Sequence, residues 1–137
     1  MMYESKYDMA REDAVAVAFE KAWDCQVLRN KPFYQIDRTI TKNGVVVAYM
    51  EIKCRNKQYE SVFLSLNKWL AGRQMARETG KPFIAAYGLP NGIYYFATKD
   101  EPLGFNIKVT GRTDRHDPND IQPAVEIPLS EMKRIAA

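Results

Sequence analysis

Asp37-Arg38-Thr39-Ile40-Thr41-Lys42-Asn43-Gly44-Val45-Val46-Val47-Ala48-Tyr49-Met50-Glu51-Ile52-Lys53-Cys54 is the stretch that decides the fold. Two runs rich in β-branched and aromatic residues flank an Asn-Gly pair, which is the strongest short-range signal for a β-hairpin. The first strand is read over Tyr34 to Thr41 and the second over Val45 to Cys54. Side chains alternate faces along a strand. Val46, Ala48, Met50, Ile52 and Cys54 therefore form one wholly apolar face. Val45, Val47, Tyr49, Glu51 and Lys53 form the other, which becomes charged only at its C-terminal end.

The register of the hairpin decides where Asp37 points. A two-residue turn pairs Lys42 with Val45 and sets Asp37 opposite Met50, on the core face. An unpaired carboxylate there is costly. A three-residue loop over Lys42-Asn43-Gly44 pairs Thr41 with Val45. Asp37 then opposes Tyr49 and lies diagonal to Glu51, within side-chain reach. The expectation is the three-residue loop, or a bulge with the same effect.

Outward from the hairpin, a helix is read over Met9 to Trp23, with Asp8 as N-cap and Glu12 and Asp13 in its first turn. A short strand follows over Cys25 to Arg29. A second helix starts after Ser65 and runs to Thr79, capped by Ser65, ended by Gly80 and kept from resuming by Pro82. Strands are read over Phe83 to Tyr87, Ile93 to Thr98 and Phe105 to Val109. Thr113 to Pro123 reads as a polar surface loop, Ala124 to Ile127 as a sheet-edge strand, and Ser130-Glu131 as the start of a short final helix. The order predicts an α/β fold with a mixed central sheet flanked by helices and an αβββαβ core. The chain of 137 residues reads as a single domain, with its core over about 9–98 and further strands, loop and short helix over 99–137.

Glu51 and Lys53 share a face, and Asp37 joins them in the register argued above. Two converging carboxylates suit a hard divalent cation with oxygen ligands, most simply Mg²⁺. Such a metal polarises a phosphate oxygen and activates a water. Lys53 adds a point charge that stabilises developing negative charge or positions the water. The combination is suited to phosphodiester hydrolysis. No His or Cys cluster accompanies it, so zinc is excluded. The competing reading of Glu51 and Lys53 is a solvated cross-strand ion pair.

Asp37 followed by Glu51-Ile52-Lys53 across a hairpin, after an acidic helix and before a Ser-capped one, resembles the PD-(D/E)XK nuclease superfamily over about Met9 to Thr98. It is similar in element order to small Holliday-junction resolvases and phage-encoded endonucleases. The proline that often precedes the aspartate is replaced by Ile36. The resemblance implies a restriction-endonuclease-like sheet, Mg²⁺ or Mn²⁺, and a DNA substrate, branched or structured DNA included. It also implies the Ile52 backbone carbonyl as a further metal ligand. Glu12, or else Glu20, would be the carboxylate from the first helix. Lys68, or less closely Gln74, would be the basic or polar residue on the helix after the motif. Arg55, Lys57 and Arg73 would extend a basic rim toward DNA phosphates, although scattered solubilising charges explain them equally well. A homodimer is a further expectation, because a branched substrate needs two cuts. The alternative is a non-catalytic nucleic-acid-binding or assembly module on the same fold.

The bulk composition agrees without deciding. The net charge is +3, which permits a nucleic-acid partner and does not demand one. Cys25 and Cys54 are too far apart for a metal or disulfide motif and read as small buried hydrophobes. His116, the one histidine, lies in a polar stretch with no nucleophile to serve. No glycine-rich loop cradles a phosphate, so no organic cofactor is expected. No apolar signal region or membrane-length stretch is present, which predicts a cytoplasmic protein of a bacterial or phage-infected cell.

Overall fold

The computed structural model describes residues 6–31, 35–98, 104–111 and 121–135. The elements in chain order are α1 (Lys6–Trp23), β1 (Gln26–Arg29), β2 (Arg38–Lys42), β3 (Val45–Cys54), β4 (Ser61–Ser65), α2 (Leu66–Thr79), β5 (Phe83–Leu89), β6 (Gly92–Thr98), β7 (Ile107–Gly111), β8 (Ile121–Pro128) and β9 (Lys133–Ile135). Six strands form a mixed sheet in the order β1-β2-β3-β5-β6-β9. Only β3 and β5 run parallel; their neighbours are antiparallel. A second sheet has the order β4-β8-β7. Among the described residues no helix is long and apolar enough to cross a membrane.

The two faces of the main sheet have separate cores. Val15, Ala16 and Phe19 of α1 pack on Val27, Ile40, Ala48, Met50, Ile52, Ile84 and Ala86. On the other face, Trp69 and Ala76 of α2 join Ile36, Phe83, Ala85 and Tyr87 of the main-sheet side with Val62, Leu64, Val125 and Ile127 of the second sheet. Ala48, Met50, Ile52 and Cys54 of β3 thus face α1, as the alternation predicts; Val46, on the far side of a bulge, is not part of that core. Tyr49, Glu51 and Lys53 face the α2 side.

α2 has the bounds read from its sequence signals. The Ser65 hydroxyl accepts from the Lys68 N–H, and Gly80 adopts a left-handed cap at φ 71°. The helix lies close on the sheet at Gly72, where a Cβ would stand 2.4 Å from the Phe83 ring. That close approach brings Lys68, one turn earlier, over β3.

Several expectations need correction. The turn after β2 has two residues, since Lys42 pairs with Val45. Asn43 and Gly44 both take positive φ, 54° and 78°, the pairing that a type I′ turn requires. The bulge expected as the alternative to a three-residue loop is formed, and it returns Asp37 to the Glu51 face: Thr41 pairs with Val46, but Ile40 pairs with Ala48, which leaves Val47 as the extra residue. Beyond it Thr39 opposes Tyr49 and Arg38 opposes Met50, so Asp37 comes directly beside Glu51. The first strand of the hairpin is shorter than expected, because Gln35–Asp37 form a bend; 32–34 lie outside the described residues. α1 begins before Asp8, so that residue is not its cap.

Ser61–Ser65, not read as a strand, pairs with β8, which is the centre of the second sheet and not an edge. Ile121–Pro123, expected in a loop, belong to β8; the rest of that expected loop lies mostly outside the described residues. The expected final helix is one 3₁₀ turn, Leu129–Glu131, followed by β9 at the edge of the main sheet.

Candidate active site

Three elements meet at Glu51. β3 carries it toward α2, where it is 1% exposed. The bend before β2 supplies Asp37, whose backbone N–H donates to Glu51 Oε1 at 3.0 Å. α2 supplies Lys68, whose Nζ lies 3.2 Å from the same oxygen and also donates to the Gln35 carbonyl. One carboxylate oxygen is therefore held twice. The other, Oε2, is buried with no hydrogen-bond partner among the described residues. A buried orphan of this kind requires an explanation, because desolvating a carboxylate oxygen without a partner is costly.

The electrostatics agree with the geometry. Burial, and then the nearby Asp37 carboxylate, push the Glu51 carboxyl up from its ordinary value to about 7; Lys68 and Lys53 pull it part of the way back. The site thus holds two carboxylates that repel one another and two ammonium groups that relieve them incompletely. Lys53 is half-buried on the same face of β3 and pairs in register with Tyr87 of β5.

The Ile52 carbonyl can be placed by alternation. The Tyr49 and Arg55 N–H groups donate to Pro82 and Gly88, both on the β5 side. Odd-numbered residues of β3 therefore direct their backbone polar groups to β5, and even-numbered ones to β2. The Ile52 carbonyl points to the β2 side, beyond Arg38, where β2 has already ended.

The remaining expected residues are more dispersed. Glu12 is buried on α1, on the opposite face of the sheet, near the Cys54 thiol, which burial first and the Glu12 charge to a lesser degree push up. Glu20 Oε2 accepts from the Val27 N–H at 2.9 Å, so it secures the edge strand β1. Among the described residues no third carboxylate, histidine or cysteine joins Asp37 and Glu51 in a metal-sized group. Arg55 is exposed at the end of β3 and donates to the Cys54 carbonyl. Lys57 is exposed in the following loop, and Arg73 is half-buried on α2. Gln74 is exposed on α2 and donates to Glu78. Reading the sequence missed Asn30 and Gln35, whose backbone or amide groups bind this site. Nothing in the pattern separated them from ordinary loop residues.

A family model described as "Phage putative PDDEXK endonuclease" matches residues 1–135. The chain belongs to this endonuclease family. That family is of the superfamily whose motif the Asp37…Glu51-Ile52-Lys53 arrangement resembles. No curated protein matches this endonuclease in sequence. Among solved structures it is similar to Archaeoglobus fulgidus Hjc, a Holliday junction resolvase from an archaeal hyperthermophile, at a TM-score of 0.61 and 18% identity, over 96% of this chain and 93% of that one. At that identity the likeness shows a shared fold, which is the mixed-sheet α/β fold expected.

Proposed function

We propose that residues 1–137 form one domain that is a metal-dependent DNA endonuclease, with Asp37 and Glu51 holding Mg²⁺ or Mn²⁺. The observation that carries the reading is the unpartnered, buried Glu51 Oε2 beside Asp37. A hard cation with oxygen ligands fits this donor set, and the outward-turned Ile52 carbonyl adds a third oxygen of the same kind. When bound, the metal supplies Lewis-acid polarisation of a phosphate oxygen and a more acidic water.

The chain's own residues do the rest. Lys68 and the Asp37 N–H fix Glu51 Oε1, which leaves Oε2 directed to the ligand position. Lys53, on the same face, positions the attacking water or stabilises charge that develops on the phosphate oxygens. Arg55, Lys57 and Arg73 contact the DNA backbone. Of the two α1 carboxylates that the resemblance implies, Glu12 is buried on the opposite face of the sheet and Glu20 accepts from the Val27 N–H, so neither is given a role beside Asp37 and Glu51. Branched or structured DNA is the proposed substrate, supported by the fold shared with a Holliday junction resolvase, and a homodimer is the proposed form because a branched substrate needs two cuts. A cytoplasmic site of action is proposed with it.

The test is cleavage of branched, single-stranded and linear duplex DNA with Mg²⁺ or Mn²⁺. Lys53→Ala should retain its fold and lose cleavage by about 100-fold or more. Unchanged cleavage in that variant would sink the assignment. Binding of DNA without any cutting by the native protein would favour the non-catalytic module.

A further inference from the structure

We infer that Asn30 is the positioning residue that fixes Asp37 against Glu51. The β1–β2 ladder ends at the pair Arg29 and Arg38. Asp37 lies one residue outside it, in a bend, and would otherwise rotate as a loose strand end. Asn30 extends the pairing by one step: its backbone N–H donates to the Asp37 carbonyl at 2.7 Å. Its side-chain Nδ2 donates to the Ile36 carbonyl at 2.9 Å. Its Oδ1 in turn accepts from Thr39 Oγ1 at 2.7 Å, so the amide is oriented from within β2.

These bonds grip the two peptide planes that flank the Asp37 Cα. Ile36 is fully buried among the apolar residues under α2, which closes off the remaining rotation. The fixed segment then presents the Asp37 N–H to Glu51 Oε1 at 3.0 Å. A continuous series of contacts runs Thr39, Asn30, Ile36 and Asp37, Glu51. Asn30 touches neither carboxylate. It acts on the site only through the backbone of Asp37.

This inference rests on the reading of Asp37 and Glu51 as metal ligands, and groups that orient ligands in this way typically affect metal affinity by about 10- to 100-fold. Three variants separate positioning from plain stability. Asn30→Ala removes both side-chain bonds and keeps the backbone one. Thr39→Val is nearly isosteric, suits a strand, and removes only the hydroxyl; Thr39→Ser restores it.

The experiment combines amide hydrogen exchange of the metal-free protein with calorimetric titration of Mn²⁺ on the same variants. The Asp37 N–H should exchange about 10-fold faster or more in Asn30→Ala, and measurably faster in Thr39→Val, while the Ala48 N–H and the Thr39→Ser protein stay as in the native protein. Mn²⁺ affinity should fall in the same order. Unchanged Asp37 protection in both Asn30→Ala and Thr39→Val would overturn the inference. So would a loss of protection spread equally to Ala48, which marks general destabilisation. If the native protein shows no Mn²⁺ site that depends on Asp37 and Glu51, yet Asp37 loosens selectively, the metal reading fails and the positioning role stands.

Discussion

The Asp37 backbone N–H donates to Glu51 Oε1 at 3.0 Å, and that one contact ties the bend before β2 to the middle of a buried strand face. It depends on a single extra residue. Val47 is unpaired in the β2–β3 ladder; were it paired with Ile40, as in a regular ladder, the two-residue Asn43-Gly44 turn would set Asp37 opposite Met50. The carboxylate would then face the α1 core.

Deletion of Val47 closes the bulge but leaves Ile40 opposite Ala48 and Asp37 beside Glu51, so a variant that circular dichroism reports as folded should still cleave. Val47→Thr keeps the bulge and changes only a partly exposed side chain, so its activity should stay within about twofold of native. A folded deletion variant that no longer cleaves would show that the register alone is not what places Asp37.

The metal-free protein should lose stability as pH rises from about 5 to 8. The Glu51 carboxyl is raised from 4.5 to about 7, so the folded state holds a proton that the unfolded state has released. Stability falls with pH wherever the folded state binds more protons. At about 1.36 kcal/mol for each unit of pKa difference, the loss is at most about 3 kcal/mol. Urea unfolding in EDTA at both pH values measures it. Glu51→Gln removes the titrating group and should flatten the dependence; parallel curves for the two proteins would contradict the assignment.

Mn²⁺ should reverse that loss. A ligand that binds only the folded state at 100 times its dissociation constant stabilises by about 2.7 kcal/mol. The gain should be larger at pH 8 than at pH 5.5, where protons compete for Glu51, and it should be absent in Asp37→Asn. Thermal melting with and without Mn²⁺ reads it directly.

Gly72→Ala should destabilise the protein although alanine is the better helix former by about 1 kcal/mol. The new Cβ would stand 2.4 Å from the Phe83 ring, and such overpacking costs about 1–3 kcal/mol. The displaced helix carries Lys68 away from Glu51, so cleavage should fall as well. Phe83→Leu, combined with it, should recover part of both. A fully stable, fully active Gly72→Ala protein would show that the close approach is not required.

Legibility from sequence followed how local each signal is. α2 was readable to the residue because Ser65, Gly80 and Pro82 act on their own neighbours. The shared face of Glu51 and Lys53 needed only the alternation of one strand. The β2–β3 register was legible only as a choice between a three-residue loop and a bulge, since turn type and bulge each shift it and packing on both faces selects their sum. The second sheet was hidden for another reason. Its β4 pairs with β8 across some sixty residues, Ser61 opposite Pro128, and no short-range pattern marks such a partner. Asn30 was missed because its role is a set of contacts seven and nine residues away, to Asp37 and Thr39.

The most direct test of the account is a crystal structure of the protein soaked with Mn²⁺, with anomalous differences measured. The account predicts one strong peak in contact with Glu51 Oε2 and the Asp37 carboxylate, and its loss in Glu51→Gln. No peak there, or an equal peak at the same place in Glu51→Gln, would contradict the claim that these two carboxylates form the metal centre.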